Sequence, residues 1–408
     1  MNRPYHLDVR ACGALGDGVS LDTQAVQAAI DRCAEGGGGT VLVPAGRFLC
    51  GSLQLRSRVG LHLAAGATIL GSRNPADYSN AGLFRDAVGA DRGHALIRAD
   101  GQEEISITGS GTIDGQGASH RPPVRPMILR FTSCRRVNVD GVVLRDSAAW
   151  VQHYVACDDM RLNGVSVHSR SNHNNDGLNL DGCQRVRVSD CLFDSGDDAL
   201  TLKSTTPQAC RDIVISNCIM SSACNALKFG TESIGGFQNV AISNCVIHDT
   251  RLCGITVASV DGALIDNVII SGITMRNVGE ALLVRLGSRG YHMPKDASPR
   301  PCGHLRNLII RDVIATGTGG HGSAILGLPD HPIEDVCIEN MLVTGSGGGQ
   351  KIDAIEEGPA YYPQYDQWGG FPAHGLYCRH VRGLQQRNLR FRTIAPDPRP
   401  PVRLDDVS

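Results

Sequence analysis

Aromatic residues are scarce in this chain, at 4% of 408 residues, and no stretch offers the roughly 18 consecutive apolar residues of a membrane-spanning helix. Charge of one sign is lacking too: the formal net charge is −2, which removes the electrostatic reason to expect nucleic acid or an anionic membrane as partner. The opening MNRPYHLDVR has no apolar core of the kind a secretory signal carries. A cytoplasmic location is therefore expected for the chain as it stands, and a periplasmic or secreted one if a leader has been removed. The cysteines number fifteen, an odd count, with no Cys-x-x-Cys or zinc-type spacing, so they are expected to be reduced, buried fillers with no metal or other cofactor. What the chain has in abundance is glycine, 49 residues. With many β-branched residues and few rings, that composition suggests short strands joined by tight turns.

A repeat runs through two thirds of the sequence. The stretches VNVDGVVL, MRLNGVSV, VRVSDCLF, IVISNCIM, VAISNCVI, VIISGITM, LIIRDVIA and VCIENMLV align on an apolar residue just before a polar pair. These markers are Val139, Leu162, Val188, Ile215, Ile242, Ile270, Ile310 and Ile338, preceded by Ile107 in a similar unit. Most of the steps lie between 23 and 28 residues, with one of 40. Each unit alternates apolar and polar positions, as a strand with one buried face does. A period in the twenties made of strands and turns predicts a solenoid of parallel strands, whose coils stack about 4.8 Å apart and share one core. The expected fold is all-β: a single-stranded right-handed parallel β-helix of about ten coils. Cys191, Cys218 and Cys245 hold one position in three consecutive units and are expected to form an internal ladder. The long step leaves room for GSRGYHMPKDASPRPCGH, residues 287–304, as a surface loop.

Solenoid ends need covering. LDTQAVQAAIDRCAEGGGG predicts a helix over residues 23–33, with Asp22 or Thr23 as N-cap and Val26, Ile30 and Cys33 facing the core. No linker divides the chain, so one domain is expected over 1–408: an N-terminal cap region at 1–55, coils at 56–346, and an aromatic, proline-rich segment at 347–408. That last segment reads either as an end cap or as a loop folded back over the side. Its Tyr361, Tyr362, Tyr365, Trp368 and Phe371 suit sugar stacking or hydrophobic covering.

The acids stand out against this repeat. HNNDGLNLDGC at 173–183 carries Asp176, and GDDAL at 196–200 carries Asp197 and Asp198, about one coil later. Stacking brings the two stretches side by side, with Leu178, Leu180, Leu200 and Leu202 inside. Asn179 and Thr201 then lie outside in one column, which ALKFG, GITVA and LVRLG extend with Lys228, Thr256 and Arg285. Both neighbouring acids face outward only from a turn ahead of their strand, which Gly196 permits. Three crowded carboxylates repel, so one is expected to hold its proton near neutrality. Such a set fits glycosidic bond cleavage, with one acid protonating the leaving oxygen and another activating water. It also fits a calcium site or a structural turn.

The same residues resemble a family. GALGDGVSLDTQAVQAAIDRC, GGGGTVLVPAGRFLCGSLQL, and then NND, GDD and CNALKFG are similar to the pectin-degrading β-helix proteins of glycoside hydrolase family 28, the polygalacturonases and rhamnogalacturonases, in a bacterial branch. The resemblance implies an inverting hydrolase with Asp197 as general acid and with Asp176 and Asp198 holding and activating the water. The candidate substrate-binding residues around these acids are His173, Asn175, Asn179, Lys203, Asn225, Lys228, Thr256, Arg285 and Trp368. The chain departs from the family pattern at Asn225, where a histidine is usual, and at Thr256 and Ala258, where an Arg-x-Lys pair grips galacturonate. The expected partner is an oligosaccharide or polysaccharide, pectin-related but not that of a standard polygalacturonase. The alternatives are a lyase or epimerase on the same fold and a non-catalytic carbohydrate-binding relative.

Overall fold

The computed structural model describes residues 5–86, 89–294 and 298–408. Two compact units, Met1–Asp197 and Asp198–Ser408, are each built of strands paired in parallel with strands one coil on, short in the first unit and as long as 23 residues in the second. In the first unit the inward ladder runs Leu7, Val41, Leu61, Ile107, Val139, Leu162 and Val188. In the second it runs Ile215, Ile242, Ile270, Ile310 and Ile338, and then meets Gln386. Every apolar member is buried, and each such side chain contributes roughly 1.5–3 kcal/mol. The nine expected markers are thus the rungs themselves.

The polar pair after each marker has a backbone cause. Two residues past the rung the chain turns a corner with positive φ, at Gly109, Gly141, Gly164, Asp190, Asn217, Asn244, Gly272, Asp312 and Asn340. Glycine, asparagine and aspartate are the residues that enter the left-handed region at least cost. The repeat signature is this corner.

The helix spans Thr23–Glu35 and buries Val26, Ala29, Ile30 and Cys33. Its N-cap is Asp22, but the carboxylate makes no capping bond; it accepts the Leu15 and Gly16 N–H groups at 2.7 and 3.0 Å and so ties down the preceding loop. All fifteen thiols are free and twelve are buried. Cys218 and Cys245 stack in the second unit with a thiol–thiol hydrogen bond. A second ladder, Cys134, Cys157 and Cys183, stands in the first.

Three features depart from the repeat. In the loop expected over 287–304, residues 295–297 lie outside the described residues; Arg289 anchors the start of the loop through Asp261 at 2.6 Å. The coils do not stop at residue 346: Leu376–Thr393 pairs in parallel with the strands before it, and Val402–Val407 pairs onto that. This last coil escaped the pattern because its rung position holds Gln386 where the earlier coils have an apolar residue. Between them the aromatic segment is a side cover, with Tyr365, Trp368 and Phe371 packed on Leu252, Cys253, Leu283, Ala324 and Leu326.

Candidate active site

Asp176 closes a loop that leads into the strand Leu178–Asp181, and three side chains build that loop. Asn172 Nδ2 donates to the Gly117 and His120 carbonyls at 2.9 and 3.1 Å. Asn175 Nδ2 donates to the Ser147 and Ala149 carbonyls, both at 2.9 Å, while its Oδ1 accepts the Asn172 N–H at 2.9 Å. Arg125 donates to the Ala148 carbonyl at 2.9 Å, to the His173 carbonyl, and to Asn174 Oδ1 at 3.3 Å. Asn175 is fully buried, and its amide is committed to positioning Asp176. Val151 N–H donates to the Asp176 carbonyl at 2.8 Å and the Asp176 side chain is buried, whereas His173 is exposed.

Asp197 and Asp198 lie ahead of the strand Leu200–Ser204, as expected; Asp197 is partly exposed, but Asp198 is buried instead of facing outward. Gly196 sits in close quarters there without a left-handed backbone. A Cβ on it would stand 3.2 Å from Arg170 Cα and 3.4 Å from Asn175 Cβ.

In the second unit Asp198 is buried and tightly held. One carboxylate oxygen accepts Asn225 N–H at 3.0 Å and Asn225 Nδ2 at 2.7 Å; the other accepts Lys228 Nζ at 2.8 Å. Burial pushes its pKa up, but the Lys228 charge and hydrogen bond, with Lys203 and Asn225, outweigh that and hold it below the usual carboxylate value. Burial likewise works against the Lys228 cation, and the Asp198 charge more than restores it. Asn225 Oδ1 accepts Cys253 N–H and Thr256 Oγ1, each at 3.2 Å. The asparagine in the histidine's place is therefore a clamp for Asp198, with both ends of its amide bonded. Lys203 also donates to Glu232 at 3.0 Å in a buried pair.

The expected exposed stripe is corrected in two ways. Thr201, Lys228 and Thr256 do stand in register, but all three are buried. The next rung is Leu283, followed by Ala324, and Arg285 pairs instead with Ala258. The motifs GITVA and LVRLG look alike yet sit two residues out of step. Arg285 is sealed beneath Trp368, its Cζ 4.5 Å from the ring, and donates to the Gly358 carbonyl. Burial first, and Arg379 second, bring its pKa down to about 10. Trp368 is itself buried and donates to the Glu356 carbonyl at 3.0 Å, so it covers rather than lines a sugar site. Lys228 Nζ lies 5.2 Å from the Tyr362 ring, and Thr231 donates to the Tyr362 hydroxyl at 2.7 Å.

Asn179 is buried as well and donates to the Gln152 carbonyl at 3.2 Å. It stands in register with His153 and Arg130 on the two preceding strands. Those two residues went unnoticed in the sequence. Stepping back one coil at a time from Asn179 would have found them.

A family model described as glycosyl hydrolases family 28 matches residues 33–361, most of the chain. A probable polygalacturonase of Vitis vinifera is 27% identical over an alignment of 370 residues that covers 83% of this chain and 74% of that protein. An exo-poly-alpha-D-galacturonosidase of Dickeya chrysanthemi is 28% identical over 253 residues, 48% of this chain and 42% of the relative. Among solved structures, an exopolygalacturonase of Thermotoga maritima superposes with a TM-score of 0.77 at 23% identity, covering 96% of this chain and 93% of the other. The parallel coils, the rungs and the family match agree: this chain belongs to glycosyl hydrolases family 28, and it is a glycoside hydrolase on a right-handed parallel β-helix.

Proposed function

We propose that this glycoside hydrolase cleaves O-glycosidic bonds of pectin-related oligosaccharides with inversion, and that it is not a standard polygalacturonase. The observation that carries the mechanism is the hold on Asp198. A carboxylate kept ionised by Lys228 and Asn225 suits accepting a proton from water and does not suit donating one. Asp197, partly exposed beside it in the chain, is then the general acid, and Asp176 helps orient the water. The Asp197 proton goes to the leaving oxygen as the glycosidic bond breaks. The water oxygen bonds to the anomeric carbon, and its proton passes to Asp198.

Specificity rests on the cations. Thr256 and Ala258 occupy the places of the family's Arg-x-Lys pair, and their register neighbours Lys228 and Arg285 are bound to Asp198 and sealed under Trp368. Nothing in this arrangement supports a galacturonate carboxylate at that point. The reading includes one domain over 1–408 and a cytoplasmic site of action, which favours short oligosaccharides over polymers.

Purified protein is to be screened against pectic oligosaccharides and aryl glycosides, with the first-formed anomer read by NMR. Inverted product is expected, and retention would remove the mechanism. Asp197→Asn should cost kcat on the order of 10²–10⁴-fold with little change in KM, because protonation is needed only in the transition state. Full activity in that variant would dismiss the acid assignment. Efficient wild-type cleavage of polygalacturonate would dismiss the specificity reading.

A further inference from the structure

In the first unit Arg98, Arg130, His153 and Asn179 stand in register on four consecutive strands, all on the outward face. Outward positions of a coil ordinarily meet solvent, yet Arg130, His153 and Asn179 are buried. A hairpin accounts for the cover. The strand Asn80–Arg85 runs antiparallel to the start of Asp91–Asp100, the one antiparallel pairing of strands among the described residues, before the latter joins the coils. Its Phe84 ring lies 5.3 Å from His153 and 5.8 Å from Trp150, and 5.0 Å from Arg130 Cζ. Arg92, in a buried pair with Asp86 at 2.8 Å, places its guanidinium 5.5 Å from the Trp150 ring. Trp150 meets His153 edge to face at 4.9 Å, and His153 is fixed by Asp181 at 3.1 Å. These contacts make a packed wall of rings and paired charges.

The wall stands close to Asp176. Trp150 precedes Val151, whose N–H donates to the Asp176 carbonyl, so the barrier begins one coil, about 4.8 Å, from that residue. A sugar chain laid along the stack past Asp176 meets it at once. Building on the assignment of Asp176 to the active centre, we infer that the paired strands Asn80–Arg85 and Asp91–Asp100, with Trp150, close the substrate groove of the first unit and leave room there for a single sugar. The enzyme therefore attacks its oligosaccharide from one end.

The test is the product profile of the wild-type protein on an end-labelled pectic oligosaccharide that it cleaves. A single short product of constant length from the first time point is expected. Mid-length products early in the reaction would overturn the inference while leaving the hydrolase reading intact. Absence of turnover on every pectic substrate would overturn that reading, and the inference with it. A second arm replaces residues 80–94 by a short Gly-Ser turn, with folding checked by circular dichroism. Internal cleavage should then appear, and a folded variant that still releases only the short product would also count against the wall. If the variant does not fold, the wild-type profile decides.

Discussion

Asn225 grips Asp198 with two nitrogens at once, its main-chain N–H at 3.0 Å and its side-chain amide at 2.7 Å from the same carboxylate oxygen. Lys228 completes the hold on the other oxygen. The result is a buried anion held ionised chiefly by Lys228, with help from Lys203 and Asn225.

Lys228→Met follows from that dependence. With Lys228 present, Asp198 titrates below the ordinary value of about 3.9, so its contribution to stability is full above that pH and is lost as pH falls through the folded value. Without that cation, burial is opposed only by Lys203 and the Asn225 bonds, and the pKa rises. The acid limb of kcat/KM should move toward neutral pH, and stability at neutral pH should fall by roughly 3–5 kcal/mol, as when other buried pairs are broken. An acid limb that stays in place would remove Asp198 from the mechanism.

Glu280 has the opposite sign. It is buried and accepts the His321 N–H at 2.7 Å; burial pushes its pKa up to about 7, against the pull of hydrogen bonds from His321 and Gly322. Its unfolded value is about 4.3. Such a group contributes stability in full below the unfolded value and loses it as pH rises through the folded one. Thermal unfolding of the wild type should therefore show a Tm decline across that window, and Glu280→Gln should flatten it. An unchanged slope would refute the shift.

Thr256→Arg with Ala258→Lys would restore the missing cationic pair, but both positions are buried, and Thr256 bonds Asn225. Overpacking costs about 1–3 kcal/mol per site. A lower Tm is expected together with any gain on galacturonate substrates, and an unchanged Tm would show that the cover is looser than its packing implies.

Arg285 is nearly inaccessible, and its Nε and Nη1 have no hydrogen-bond partner among the described residues. A buried charge so poorly compensated is costly, and apolar replacements at such sites are often neutral or stabilising. Arg285→Met should hold or raise the Tm without loss of kcat. A marked loss of activity in a stable variant would return Arg285 to the substrate site.

Periodicity made the rungs legible, because the αL corner two residues past each marker demands glycine, asparagine or aspartate and so punctuates the sequence regularly. The acids were legible because one coil separates Asp176 from Asp197. Exposure was not legible. Whether Lys228 or Arg285 meets solvent depends on Tyr362 and Trp368, which lie 134 and 83 residues further along the chain. Nothing local in ALKFG or LVRLG announces that cover. An irregularity between Thr250 and Cys253 shifts the pairing by one residue just before GITVA and accounts for one of the two residues by which Arg285 is out of step. Asn225 was noticed as a departure, but its grip on Asp198 required geometry.

The side cover from residue 350 to 373 has a consequence for the order in which the molecule is made. Coils contact their neighbours and can assemble as they leave the ribosome, N-terminal first. Lys228 and Arg285 then wait in water until the aromatic segment, near the end of synthesis, arrives to cover them. A nascent chain stopped short of residue 350 would carry its rungs in register and two bare cations on the outside. The last seventh of translation therefore decides the electrostatic face that the second unit presents.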